Sequence, residues 1–493
     1  MSSVPLVDAI LPAGLITPLQ EELLTIIYGP EAEAPDRFHA WQAGIDLTDL
    51  DDACYRLYPQ LYRRIRGFAG GHPFIGRMKG YFRRTYYRNQ LLFQWALAVV
   101  ERLEAQGMDC LMLKGAALVP ATGLSSGFRP MADVDLLVRT GDARRALTVA
   151  DPRFAELLVD RTTTDAHVEL RHGFTVFDQN RLEIDLHWRL AGAWAPGEAP
   201  DAPFWETARP VTLQDRPVLA LAPTELLYHV IVHGIPRNPV PAIRWVSDSL
   251  ELIAAGPTRI DWDRLAFLAT HYRRRLLLRR GLAYLHARFP GVVPAHALDL
   301  LAGDVEADEE AEFRMVTAEQ RTRPDQADAR RLVEARLPMV DARLPGRRRL
   351  IYLNGRDADP GMFAWLESIG ADFVCEFDRE AALWRMAWAQ LQAQPETARP
   401  PAAGQGRLYR FDAPIDLPTN SLYARVYRNA QGQSGMRLFF TNLTAWPLGA
   451  VVFRVDDLGG LPFPSIVGAH GTVPIRGLPI WPDFFASRTF QPD

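Results

Sequence analysis

The chain has 493 residues, 48% hydrophobic and 23% charged, a balance that supports sizeable buried cores in roughly two to four domains and excludes a disordered tail. Its formal net charge of -4 argues against a protein that coats nucleic acid, since that work needs a basic surface to displace counterions, although a local basic patch remains compatible with it. Three scattered cysteines in apolar contexts, Cys54, Cys110 and Cys375, form neither a disulfide framework nor a CxxC metal motif and read as buried thiols of a reducing compartment.

The opening stretch "MSSVPLVDAILPAGLITPL" lacks the basic region of a signal peptide, and no apolar run approaches the ~18 residues of a membrane span. The expectation is a cytoplasmic enzyme without a membrane partner. Residues 1–106 read as an N-terminal helical region. It ends in "YYRNQLLFQWALAVVERLEAQG", whose apolar residues recur at helical spacing and whose Gly107 suits a left-handed C-terminal cap.

The period then changes, and residues 107–222 are expected to form an α/β core. "DCLMLKG" and "ADVDLLV" are short bounded apolar segments that read as strands, and "LEIDLHW" alternates like a third. Between the first two, "AALVPATGLSSGFRP" fits one or two helical turns and a loop. From Pro223, "PTELLYHVIVHG" begins a helical region running to 345, with proline and an acid in its first turn. A small β/α unit is expected at 346–395, a linker at 396–406 where "ETARPPAAGQG" cannot supply a core, and a β-rich domain at 407–493 carrying "SLYARVYRN", "GMRLFFTN" and "GAVVFRVDD". The fold class is therefore α+β, a sheet core flanked by helical regions with a β-rich C-terminal domain.

The chemistry concentrates in "LMLKGAALVPATGLSSGFRPMADVDLLVRT". Residues two apart on a strand share a face about 6–7 Å apart, so Asp133 and Asp135 project together while Val134 faces the other way. Two carboxylates on one face of a strand that enters a core repel each other, and a bound cation compensates them. Magnesium, or manganese, suits hard carboxylate oxygens and shares its shell with substrate phosphates. Asp185 on the third strand is the candidate third acid, which together with the pair could hold metal and activate a nucleophile for attack on phosphorus. A lone DxD also occurs in turns and on solvated strand edges. Here the apolar setting, the glycine-rich loop and the cations Lys114 and Arg129 favour a site for a polyphosphate.

Lysine usage points the same way. The chain contains only Lys79 and Lys114 among 55 basic residues, so a lysine retained beside the acids suggests a need for a compact ammonium, with chance retention as the plain alternative. Neither lysine follows a glycine, which excludes a Walker A loop.

Read together, "LKGAAL", "RPMADVDLLV" and "LEIDLHW" resemble the nucleotidyltransferase superfamily with a DNA polymerase β-like fold. More narrowly, they are similar to the bacterial family labelled uncharacterised nucleotidyltransferase, over roughly residues 40 to 260. The resemblance implies a nucleotidyltransferase-type mixed sheet and transfer of a nucleoside monophosphate from a nucleoside triphosphate to a hydroxyl or related acceptor, with release of pyrophosphate. The acceptor, a small molecule, peptide or protein, stays open, and nucleic acid is not expected. The resemblance puts Asp133 and Asp135 on the acidic pair, Asp185 on the third acid, and Gly115 on the first glycine of a phosphate-holding turn, from which Ala116 departs.

Further candidates follow. His187, two residues beyond Asp185, is expected to share its face, where it could orient a bound water or a phosphate, with a satisfied structural histidine as the equal alternative. His229 and His233 lie four apart on a helix but lack the glutamate of a zinc HExxH motif, which disfavours zinc. Because the resemblance places this helix near the cleft, one is expected to pack and one, His229, to face the nucleotide. Arg244 and Asp248, four apart in "RWVSD", read as a helix-surface ion pair, with base or ribose contact as the alternative, and the arginine run 273–275 with Arg279 and Arg280 as a solvated face. Two other functions fit parts of the pattern. A DxD glycosyltransferase leaves Asp185 and Lys114 without a task, and a nucleotide-binding scaffold without turnover is favoured by Ala116.

Overall fold

The change of hydrophobic period at Gly107 is a change from helix to sheet. In the computed structural model, the described residues are 10–12, 14–45, 51–150, 172–178, 180–190, 201–236, 243–256, 260–317, 330–331, 334–335, 348–354, 360–377, 389, 406–411, 421–428, 434–441 and 465–470. They separate into two compact units, one within residues 10–317 and the other within 330–470.

In the first unit the helices used below are α1 (Pro18–Tyr28), α2 (Tyr58–Ile65), α3 (Ile75–Glu104), α4 (Lys114–Thr122), α5 (Ala143–Ala150), α6 (Pro223–Gly234), α7 (Arg244–Ala254), α8 (Trp262–His271), α9 (Arg275–Arg288) and α10 (Ala307–Thr317). α3 stops as its sequence suggests. Gly107 takes φ of 71°, and the Met108 amide donates back to the Leu103 carbonyl at 3.0 Å.

The sheet that follows has strands β1 (Cys110–Met112), β2 (Asp133–Val138), β3 (Gly173–Phe177), β4 (Glu183–His187), β5 (Arg209–Leu213) and β6 (Arg216–Ala220), in the spatial order β3-β4-β2-β1-β6-β5. It is mixed: β2 runs parallel to β4 and β1 parallel to β6, while the other neighbours are antiparallel. All six strands fall within the expected core of residues 107–222. β5 and β6 are hidden in the sequence, because prolines and charges in "RPVTL" and "RPVLA" mask their alternation, whereas the alternation of β3 is plain in "GFTVF".

The apolar pattern fixes the register that matters most. Val134 and Leu136 pair with Ile184 and Leu186, and all four are buried on one face. Each such side chain contributes about 1.5–3 kcal/mol when buried. A slip of one residue between β2 and β4 would turn this face toward the acids, so the core selects the register that sets Asp135 beside Asp185.

Helices α6, α7 and α9 continue the helical region. The arginine run is not a solvated face: Arg273 pairs with Asp308 and Arg274 with Glu312, acids of α10 that are almost fully buried. Cys54 and Cys110 are buried free thiols, and burial pushes both well above the usual thiol range. Among the described residues no helix is long and apolar enough to cross a membrane.

The second unit holds β7 (Arg348–Asn354), α11 (Pro360–Ser368), β8 (Asp372–Phe377), β9 (Gly406–Phe411), β10 (Ser421–Arg428), β11 (Ser434–Thr441) and β12 (Ser465–His470). One sheet takes them in the order β12-β7-β8-β11-β10-β9, with β7 and β8 parallel across α11 and the rings of Phe363 and Phe373 stacked at 4.9 Å. This corrects the expected division into a β/α unit at 346–395 and a separate domain at 407–493. β8 pairs with β11, Phe377 opposite Leu438, so strands from both sides of the supposed linker share one sheet, and Gly406 already belongs to β9. The hydrogen-bonding edge of β8 needs a partner, and β11 supplies it. The helix expected at "AALWRMAWAQLQAQ" and the strand "GAVVFRVDD" lie outside the described residues, apart from residue 389.

Candidate active site

Parallel pairing puts Asp135 opposite Asp185, Asp133 opposite Glu183 and Leu137 opposite His187, so that carboxylates and an imidazole share one face of adjacent strands. Asp135 is 3% exposed and accepts hydrogen bonds on Oδ1 from Lys114 Nζ at 2.5 Å and from His187 Nε2 at 3.0 Å. Thr175 on β3 donates its hydroxyl to Asp185 at 2.5 Å. Ligand atoms of Asp135, Asp185 and His187 all lie within 4.8 Å of one another. Asp133 shares the face but lies outside this group, so among the described residues the metal-capable set is two of the three expected acids plus His187.

The charges respond to this crowding. Burial raises the Asp135 carboxyl, but Lys114 and the His187 contact outweigh it and hold the group well below the usual carboxylate range. Asp133 shifts the other way: burial, then the neighbouring charges of Asp135 and Asp185, raise it. Burial lowers Lys114, but Asp135 wins and the ammonium is held charged.

Lys114 opens α4 with φ of 41°, inside the left-handed region that costs a non-glycine residue about 1–2 kcal/mol. The backbone freedom associated with the turn's first glycine is thus used one residue earlier than Gly115. Gly115 serves close approach instead. A Cβ there would stand 2.0 Å from Arg129 Nη1 and 2.4 Å from Met131 Sδ. Ala116 is buried behind it.

Arg129 is engaged first by an acid, while its Nη1 faces the turn at Gly115. Its Nε and Nη2 donate to the two carboxylate oxygens of Asp248 at 3.0 and 2.8 Å, a bidentate pair with both side chains buried. Asp248 therefore does not pair with Arg244, as its sequence spacing suggested; Arg244 Nη1 donates to the Pro130 carbonyl at 2.7 Å. Burial and the nearby Arg129 lower the Arg244 guanidinium to about 10. Three successive residues of α3 brace the same loop: Arg88 donates to the Ala132 carbonyl at 3.2 Å, Asn89 to the carbonyls of Ser126 and Arg129 at 2.7 and 2.8 Å, and Gln90 to the Ser126 hydroxyl at 3.1 Å.

α6 contributes the two histidines. His229 is buried, and its Nδ1 has no hydrogen-bond partner among the described residues. Burial, then His233 and Lys114, hold it neutral well below the usual imidazole range. His233 is exposed to solvent, yet its imidazole is lowered to about 3, first by the charge of Lys114. Their rings are 5.5 Å apart. Four residues important to this arrangement were missed from sequence: Asn89, Thr175, Asp248 in its true pairing, and His172, whose ring stacks on His187 at 5.6 Å. Alternation along "GFTVF" could have signalled Thr175; the others depend on pairings distant in sequence.

Two carboxylates and an imidazole at this spacing suit a divalent cation. Oxygen donors match magnesium or manganese, and the nitrogen is more readily accepted by manganese. Compared with known families, residues 55–290 match the family described as uncharacterised nucleotidyltransferase. No curated protein and no solved structure matches the chain.

Proposed function

We propose that the chain, whose residues 55–290 match the uncharacterised nucleotidyltransferase family, is a metal-dependent nucleotidyltransferase that moves a nucleoside monophosphate from a nucleoside triphosphate to a hydroxyl-type acceptor. The observation that carries this reading is the in-register pair Asp135–Asp185 with His187 beside it. A divalent cation held by Asp135, Asp185 and His187, with Asp133 as a further carboxylate nearby, supplies neutralising charge for the phosphates.

The remaining work falls to the chain's own groups. Lys114 binds the triphosphate as a compact point charge. Asp185 accepts the proton of the attacking hydroxyl, whose oxygen forms a bond to the α-phosphorus as the bond to the bridging oxygen breaks and pyrophosphate leaves with the electron pair. His229 offers its unpartnered Nδ1 to the nucleotide. Arg129, engaged by Asp248, acts indirectly by shaping the turn at Gly115.

The test is incubation of the full chain with nucleoside triphosphates labelled at the α- or γ-phosphate, magnesium or manganese, and a panel of hydroxyl acceptors, read by mass spectrometry and pyrophosphate release. Label should reach an acceptor from the α-position only, and Asp135→Asn and Asp185→Asn should abolish it. Transfer from the γ-position, or α-transfer unaffected by both substitutions, sinks the assignment.

A further inference from the structure

A stretch of 48 residues, 53–100, contains no aspartate or glutamate and nine arginines and lysines, in a chain whose net charge is -4. The second half of it lies on α3, whose outer face carries the charge. Arg77, Lys79, Arg83, Arg84 and Arg88 are all exposed there, and Tyr87 among them is 68% exposed. At 100° per residue Tyr87 lies between Arg83 and Arg84 on one side of the helix, opposite the buried stripe of Met78, Thr85, Asn89 and Leu92. Among the described residues, Arg77, Lys79, Arg83 and Arg84 make no ion pair, so none of this charge is neutralised internally.

We propose that this face of α3 is a docking surface for single-stranded nucleic acid. A single strand alternates phosphates with bases that have π-faces, and a face alternating guanidinium groups with an exposed aromatic ring matches both. Arg77 to Arg88 span about 16 Å at the helical rise, the reach of about three nucleotides. A duplex would use the cations but not the ring. An anionic membrane would use the cations and ask for a broad apolar wedge, to which this face offers only Leu91 beside the tyrosines. The surface adjoins the carboxylates, because Arg88 at its end donates to the Ala132 carbonyl next to Asp133. It does not depend on the proposed transfer, since the binding is read without nucleoside triphosphate.

The experiment is fluorescence anisotropy of the full chain with an end-labelled single-stranded RNA of 20 nucleotides and mixed sequence, over a range of potassium concentrations. We expect saturable binding with a slope of log affinity against log salt of about -2 to -3, from three or four phosphates at ~0.7 each. Arg83→Glu with Arg84→Glu should weaken binding at least tenfold. Tyr87→Ala should weaken RNA severalfold while leaving heparin binding unchanged, and Tyr87→Phe should behave as the parent. All these positions are exposed, so an unchanged melting temperature accompanies each variant. No RNA binding at low salt, equal binding by the charge-reversed variant, or equal losses for RNA and heparin with Tyr87→Ala each overturn the proposal. So does saturable binding to phosphatidylglycerol vesicles without binding to RNA.

Discussion

Lys114 and Asp135 meet at 2.5 Å in a largely buried pair, with the lysine backbone held in the left-handed region to make the contact. The two acids of the same strand therefore differ in what their removal does. Asp135→Asn strands the Lys114 ammonium and should cost about 2–4 kcal/mol. Asp133→Asn removes a carboxylate whose ionised form folding disfavours and should be neutral or stabilising by roughly 0–1 kcal/mol. The pH dependence follows the same signs. The depressed Asp135 contributes stability above its unfolded pKa that is lost only as pH falls through its folded value, far into acid, whereas the raised Asp133 relieves the fold as it protonates. Denaturant titrations of both variants check this; equal losses in the two would contradict it.

Gly115→Ala is expected to destabilise by about 1–3 kcal/mol or more, because the added methyl meets Arg129 and Met131 at once and the buried guanidinium cannot retreat from Asp248. Combining it with Met131→Ala should recover only part of the loss. Full recovery would show that Met131, not Arg129, sets the close approach. Chemical denaturation with and without the second substitution reads the difference.

Breaking the Arg129–Asp248 pair from one side, as Arg129→Met or Asp248→Leu, should cost about 3–5 kcal/mol, while the double variant should cost clearly less than the sum. Since Arg129 is committed to Asp248, the double variant should keep most of its affinity for triphosphate, measured by calorimetry. A loss of affinity beyond tenfold in a folded double variant would mean that the guanidinium does touch phosphate.

His229 and His233 both bind protons less readily in the folded chain than an unfolded imidazole does. Between the folded values and about 6.5 the unfolded state therefore holds more protons, and stability should fall as pH is lowered through that window. Melting temperatures from pH 7 to pH 4 should show this decline, and His233→Gln should flatten it. Lys114→Ala should flatten it too, because the lysine charge is the first cause of the His233 shift. An unaltered slope in both variants would remove these imidazoles from the account.

Much of this site was legible in the sequence because its grammar is local. The two-residue period of "DVDLL" and of "EIDLH" put Asp133, Asp135, Asp185 and His187 on strands, and the apolar residues between them set which face the acids would share. Long-range choices were not legible. Asp248 partners an arginine 119 residues earlier rather than Arg244 four residues before it, since the buried fork of Arg129 needs a carboxylate and Arg244 finds a carbonyl. The strand partner of β8 was equally hidden, as edge hydrogen bonding leaves no trace in composition. The net charge concealed the acid-free span of residues 53–100 because acids elsewhere cancel it.

The bracing of one loop by Arg88, Asn89 and Gln90 has a mechanical consequence. Three neighbouring side chains of a single long rod grip the segment from Ser126 to Ala132, so displacement of that segment without the rod requires breaking these contacts. A substrate that repositions Asp133 is then expected to pull on α3 through the Arg88 contact at Ala132, and a load on the outer side of the rod to reach the carboxylates by the same route. Substitutions that shift the tilt of α3 should then alter turnover from a distance, with no change in any group that meets the nucleotide.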